Sequence, residues 1–434
     1  MKQLTRLFIP ICLETLFYML SGMVDTLMLS AVGDYAVGAV GTANSYIGIF
    51  IIMFSIISSG MVSVMTQNIG AGRPGVAYQA RQLGLLFNAV AGVLMAVFLF
   101  SGAGVILRMV GIADALYEPA LIYLKIVGGG CILNAVIPIF SSYLRAFGYT
   151  KQPLYATIVG NIANFVMNAV FLFVLHKGVA GVAAATVISK ILNLCIVLYF
   201  SHKLISAKNS TERIANKTVL GQIVKVGLPS ACETALYNVA MMLVIRFLNQ
   251  MDAEGLNVTA RSYTATISNF SYCVGAALAQ ANAIMTGWHI GAGELEECDR
   301  GTKRAAFVGV CVAVCMETAI VLGSGFIMPL FTDNPEMTAL VRKLLAIDIV
   351  LEIGRVTNLV FGQALKTSGD AVFPAVIAAV FMFVFAVGGT WLFGISMGLM
   401  AVGAYIGLAS DECVRAVGMV WRWKTGKWRT KKLV

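Results

Sequence analysis

Residues 10–19, PICLETLFYM, return 219 positions later as residues 229–238, PSACETALYN. The match pairs Pro10 with Pro229, Glu14 with Glu233, Thr15 with Thr234 and Tyr18 with Tyr237. Two further stretches repeat at an offset of 221: IGAG (69–72) recurs at 290–293, and LRAFGYTKQP (144–153) lines up with LKTSGDAVFP (365–374). A near-constant offset over most of the chain means one unit written twice, a reading that precedes all others. The domains expected are an N-terminal six-helix lobe at 1–204, a polar cytoplasmic linker at 205–219, a C-terminal six-helix lobe at 220–424 and a basic cytoplasmic tail at 425–434.

Composition says what the unit is made of. Of 434 residues, 59% are hydrophobic and only 12% charged. Apolar runs of about 20 residues, the length that crosses a bilayer, recur from end to end. They are too long for the alternating ten-residue strands of a membrane β-barrel. The fold class expected is all-α: a polytopic membrane protein with twelve transmembrane helices. An even number of spans inserts each half the same way up, so the halves are parallel pseudo-repeats about an axis along the membrane normal. Such repeats place substrate near the midplane and alternate its access.

The net charge of +10 does not point to nucleic acid. The bases sit in short loops on one side of the twelve runs: Lys2 and Arg6, Arg73 and Arg81, Arg145 and Lys151, Lys203 to Lys217, Arg300 to Arg304, and the tail. That asymmetry puts both termini in the cytoplasm. The basic start reads as a retained first helix, because no cleavage site follows soon enough. Trp421, Trp423 and Trp428 are expected in an interfacial aromatic belt. The nine cysteines show no C-x-x-C spacing and read as small apolar side chains. No metal site, cofactor or catalytic residue is expected. The absence of a P-loop leaves an ion gradient, H+ or Na+, as the energy source.

Twelve spans in two halves, VDTLMLSAVG ending span 1, IGAGR after span 2, LRAFGYTKQP between spans 4 and 5, and GNIANFVMN in span 5 resemble the multidrug and toxic compound extrusion (MATE) family. The resemblance covers nearly the whole chain. It implies a V-shaped pair of lobes in the cell membrane and proton- or sodium-coupled efflux of organic, often cationic, compounds. It also implies that Asp25 is the coupling-ion acid, with Asn164 and Asn168 as its polar partners. The second of that pair is an acid in some members, so one carboxylate stands here where those have two. Some sodium-coupled members carry an acid at the position of Tyr237.

The residues support a site independently. Asp25 is an ionisable group inside a membrane helix, where such groups are costly and usually functional. The alternative is a solvated place at the outer interface. Asn161, Asn164 and Asn168 advance by three and four, so they share one helical face. Three amides on one face are not expected to meet lipid; they serve an ion site or interhelical hydrogen bonds. None of these residues has a counterpart in the second half, which favours function over common architecture. Glu14 and Glu233 do mirror each other, each one turn past a proline, and read as a structural or gating pair, with separate ion sites as the alternative. Glu352 and Arg355, three apart in span 10, can pair on one face. They are either a buried ion pair or a second-lobe polar site. Tyr18, Tyr46, Tyr143 and Tyr237 are candidate cavity aromatics.

The function expected is efflux of organic cations in exchange for H+ or Na+ by a monomer in the bilayer. A lipid-linked oligosaccharide flippase is the alternative, and would need many bases in its cleft. A receptor would hardly need the repeat. An enzyme would show a catalytic constellation.

Overall fold

A computed structural model describes residues 2–109, 112–205, 212–252 and 255–434. Part of the expected linker, residues 206–211, lies outside the described residues. Those described are helical almost throughout, with no strand among them. The first half holds α1 (Lys2–Ser30), α2 (Asp34–Gly70), α3 (Pro74–Met109), α4 (Asp114–Gly129), α5 (Cys131–Ala146), α6 (Lys151–Ala169) and α7 (Gly178–Leu204). The second holds α8 (Asn216–Met251), α9 (Leu256–Ala292), α10 (Leu295–Ile327), α11 (Pro335–Thr367), α12 (Val372–Phe381) and α13 (Met400–Lys424).

Eight of these helices are long and apolar enough to cross a membrane, and α4 with α5 forms a ninth span bent by 41°. The remaining three, α9, α11 and α13, complete the twelve. Their hydropathy is lowered by buried polar residues, among them Ser268 and Ser271, Asp348 and Glu352, and Asp411 and Arg415. Those groups are turned inward, where protein can satisfy them. The lipid-suited surface lies elsewhere: Leu86, Val90, Leu94, Val97 and Phe100 of α3 are all exposed. In a water-soluble monomer so long an apolar stripe would be a liability.

Contacts divide the chain into two compact units, Thr5–Gly227 and Leu228–Val434, the latter joined by the start of α1 up to Leu4. The core of the first gathers Leu99 and Leu107 of α3, Leu124 and Val127 of α4, and Ala36 and Ala43 of α2. The core of the second gathers Val244 and Leu248 of α8, Val341 and Leu344 of α11, and Ala401 and Ala404 of α13.

The repeat is visible in backbone detail. The IGAG stretches end at Gly72 and Gly293, with φ of 74° and 79°, a left-handed turn that suits glycine. The turn before α7 has positive φ at His176 and Gly178; the turn before α13 has it at Gly398 and Met400. These positions correspond at an offset of 222, so each half places its glycine at a different one of two demanding sites. Both spans leading into these turns also loosen into π-helix, at Val170–Val174 and Thr390–Ser396.

The expected aromatic belt needs correction. Trp423 and Trp428 are each 1% exposed and stack on one another at 4.2 Å, leaving only Trp421 outside. The tail turns back at Gly426, where φ is 70°, and the Trp423 indole N–H donates to Asp299 at 2.7 Å. An indole with a carboxylate of its own chain to bond has no need of the interface.

Candidate functional site

In the first unit the site grows from two helices. Helix α6 runs uninterrupted from Lys151 to Ala169, which sets Asn164 and Asn168 one turn apart on a buried face. Asp25 lies five residues before the end of α1. Asn168 Nδ2 donates to Asp25 Oδ1 at 2.8 Å and reaches Asn164 Oδ1 at 3.1 Å. The carboxylate, the two amides and the face predicted for them therefore meet. Asn161 is placed elsewhere: its Nδ2 donates to the Phe17 carbonyl at 2.9 Å, tying α6 to the backbone of α1. The face holds three amides, but only two join the acid.

The sequence reading passed over a charged residue in the same unit. Lys190, partly buried, is the only charged side chain in the apolar run 179–201 of α7. Its ammonium donates to Asn134 Oδ1 of α5 at 2.8 Å and lies within electrostatic reach of Asp25 and Cys131. One turn earlier, Thr186 hydrogen-bonds Tyr123 of α4, which also meets Asn44 of α2 and feels the charge of Asp25. A lone lysine in an otherwise uncharged, mainly apolar run was the available signal, and an intramembrane base deserves the same weight as an acid.

The second unit has its own polar interior. Glu352 and Arg355 pair as their spacing predicts, with Glu352 fully buried. Arg355 also reaches Glu412 of α13 at 3.8 Å, and Glu412 accepts from Asn358 at 3.0 Å. Arg415 bonds Asp411 at 2.7 Å and Glu412 at 2.8 Å. Behind them Glu317, Asp348 and Glu352 bring carboxylate oxygens within 4.8 Å of one another, all buried. Three such acids can stay together only by sharing protons or a cation, or by leaning on Arg355. Beside them opens a cavity of about 270 Å³, lined by Tyr237, Tyr272, Arg261, Asp348, Arg355 and Glu412 among others. Of the candidate aromatics, Tyr237 is therefore on a cavity wall. Tyr18 is 75% exposed, Tyr46 is half-buried, and Tyr143 is closed in against Phe147 with the Arg81 guanidinium 5.3 Å from its ring.

Glu14 and Glu233 each meet a base. Arg145 Nη2 lies 2.5 Å from Glu14 Oε1, and Lys366 Nζ lies 2.8 Å from Glu233 Oε2. Arg145 and Lys366 are themselves repeat partners, 221 apart. One ion pair is thus built twice, joining the proline-bearing helix of each half to the end of its fourth span.

Twelve spans in two repeated halves, each with an ionisable interior, are the architecture of a membrane transporter. The family model described as MatE matches residues 10–170 and 229–392, so this chain belongs to the MATE family of transporters. The chain is 32% identical to the "Uncharacterized transporter YisQ" of Bacillus subtilis, over 97% of this chain and 94% of that protein. It is 20% identical to the "Probable multidrug resistance protein NorM" of Thermotoga maritima, over 100% and 94%. Among solved structures it is similar to "MATE in the bent conformation", with a TM-score of 0.89 and 20% identity, covering 99% of this chain and 96% of the other.

Proposed function

We propose that this protein is a secondary active efflux transporter that expels organic, cationic compounds in exchange for H+ or Na+, by alternating access. In this reading it works as a monomer in the cell membrane with both termini cytoplasmic. The observation that carries the proposal is the Asn168–Asp25 hydrogen bond of 2.8 Å inside the first unit. A carboxylate held there by an amide is positioned to take up and release a cation as access alternates. No counterpart exists in the second half, so the pair serves something other than the shared architecture.

The cationic character of the substrate is supported by the second unit. Glu317, Asp348, Glu352, Asp411 and Glu412 stand against Arg261, Arg355 and Arg415, an excess of acid beside tyrosine rings. Aromatic faces and spare carboxylates are the chemistry that recognises organic cations. A flippase for anionic lipid-linked sugars would need free bases, whereas Arg355 is engaged by Glu352 and Glu412.

Proteoliposomes loaded with a cationic dye such as ethidium test the assignment under imposed pH or Na+ gradients. Asp25→Asn is expected to insert normally and to lose gradient-driven efflux. Wild-type rates from that variant would remove Asp25 from the coupling site.

A further inference from the structure

One acid of the second unit is wholly buried and unsatisfied. Glu317 of α10 is 0% exposed, and neither of its carboxyl oxygens has a hydrogen-bond partner. It converges with Asp348 and Glu352 of α11, which are 2% and 0% exposed, and oxygens of all three lie within 4.8 Å of one another. Asp348 Oδ2 and Glu352 Oε2 are unpartnered as well. From α9 the buried hydroxyls of Ser268 and Ser271 stand beside Asp348 and Glu317, and neither closes a hydrogen bond. Buried polar atoms are nearly always paired, so four carboxyl oxygens and two hydroxyls left open in one place call for a ligand.

Charge and size say which ligand. Arg355 is committed to Glu352 and Glu412, and Arg415 to Asp411 and Glu412. Among the described residues no base forms an ion pair with Glu317 or Asp348. Two carboxylates therefore stand uncompensated in a low-dielectric interior, which is costly unless their charge is neutralised. A monovalent ion neutralises one of them, a divalent ion both. The 4.8 Å that bounds the oxygens is the span across an ion with bonds of about 2.4 Å, the range of Ca2+. Mg2+, with bonds of about 2.0–2.1 Å, is smaller and gives up its waters reluctantly. The burial of all three acids leaves room for a bare ion and none for an organic cation. Entry is provided by the cavity of about 270 Å³, because Asp348 and Ser268 form part of its wall.

We propose that Glu317, Asp348 and Glu352 form a binding site for one calcium-sized divalent cation, reached from the cavity past Asp348. The carboxylates supply the charge, and the hydroxyls of Ser268 and Ser271 supply further oxygen ligands. The ion ties α10 to α11, with α9 completing its shell. The site lies wholly in the second unit, goes beyond the efflux reading and does not depend on the role of Asp25.

The test uses the full chain purified in detergent, stripped with EDTA and then freed of chelator. CaCl2 is titrated in by calorimetry, and the melting temperature is read in CaCl2, MgCl2 and NaCl at one ionic strength. A ligand that binds the folded state raises stability by mass action, so a bound ion is visible without any transport substrate. The wild type is expected to bind one Ca2+ per chain and to melt higher in CaCl2 than in either other salt. Glu317→Gln and Asp348→Asn, which keep the shape and remove one charge each, are expected to lose both signals. Glu296→Gln, at an exposed acid of the same helix α10, is expected to keep them. Absence of Ca2+ binding in the wild type overturns the proposal and leaves the acids sharing protons. A wild-type shift that NaCl or MgCl2 reproduces overturns it too, and both results are read even where the variants fail to fold. A folded Glu317→Gln or Asp348→Asn that binds Ca2+ as the wild type does overturns it as well.

Discussion

At the scale of single residues, Asn168 and Asn161 look alike in sequence and are set to different tasks. Both lie on one face of α6, seven residues apart. Asn168 donates to a carboxylate, and Asn161 to a backbone carbonyl of α1. A hydrogen bond to a charged group is worth about 1.5–3 kcal/mol, and one between neutral groups about 1 kcal/mol. Asn168→Ala should therefore weaken ion coupling roughly ten- to hundred-fold, read as the ion gradient needed for half-maximal efflux. Asn161→Ala should lower the melting temperature modestly and leave that midpoint unchanged. The periodicity 161, 164, 168 made the face legible, but not which member would find the acid, because that depends on how far along α1 the helices cross. Lys190 was less legible still. A lysine within an apolar run can snorkel to the surface with its stem buried, so its position alone does not say whether the charge points inward. The contact with Asn134, 56 residues away in sequence, decides it.

At the scale of helices, the repeat reveals what each half has kept and what it has exchanged. Both keep the ion pair between a proline-bearing helix and the end of the fourth span, Glu14 with Arg145 and Glu233 with Lys366. The sequence alignment already placed Arg145 opposite Lys366, yet the partner of each glutamate emerged only when the helices were folded together. These pairs are partly buried, so their worth falls between about 0.2–1 kcal/mol for exposed pairs and about 3–5 kcal/mol for the loss of one partner of a buried pair. Glu14→Arg should lower thermal stability in detergent, and adding Arg145→Glu should restore most of it. No recovery in the double variant would show that the glutamate acts through something other than that base. What the halves exchange is charge. On the last helix, Lys190 corresponds to Asp411 or Glu412 at offsets of 221 and 222, and on the fourth span Asn134 corresponds to Arg355. A lysine facing a neutral amide in one half becomes acids facing a guanidinium in the other. The second arrangement depends on a close approach of α11 and α13. A methyl added at Gly354 would lie 2.7 Å from the Cys413 backbone nitrogen. Gly354→Val should force these helices apart, lowering the melting temperature and weakening the Arg355–Glu412 contact.

At the scale of the whole molecule, the fold was legible because its signals are written twice. Prolines, turn glycines and base-rich loops recur at nearly one spacing, and each independent recurrence narrows the topology. The tail was misread for a related reason: it has no partner in the first half, so nothing in the repeat indicated that Trp428 would stack on Trp423 rather than face the headgroups. Orientation follows from the same loops. Arg73, Arg81, Arg145, Lys151, Lys203, Lys217, Arg300, Lys303, Arg304 and Lys366 all fall at helix ends on one side of a twelve-span path, together with the tail. The opposite turns, around Gly33, His176 and Thr332–Asn334, are poor in lysine and arginine. Bases resist translocation when they lie in short loops near span ends, so the rich side should remain cytoplasmic. A fluorescent protein that matures only in the cytoplasm, fused after Val434, should be bright. Alkaline phosphatase, active only outside, should be silent at Val434 and active when inserted between Thr332 and Asn334. Phosphatase activity at Val434 would require an odd number of crossings, and with it the loss of the even, six-plus-six arrangement that makes the two halves parallel.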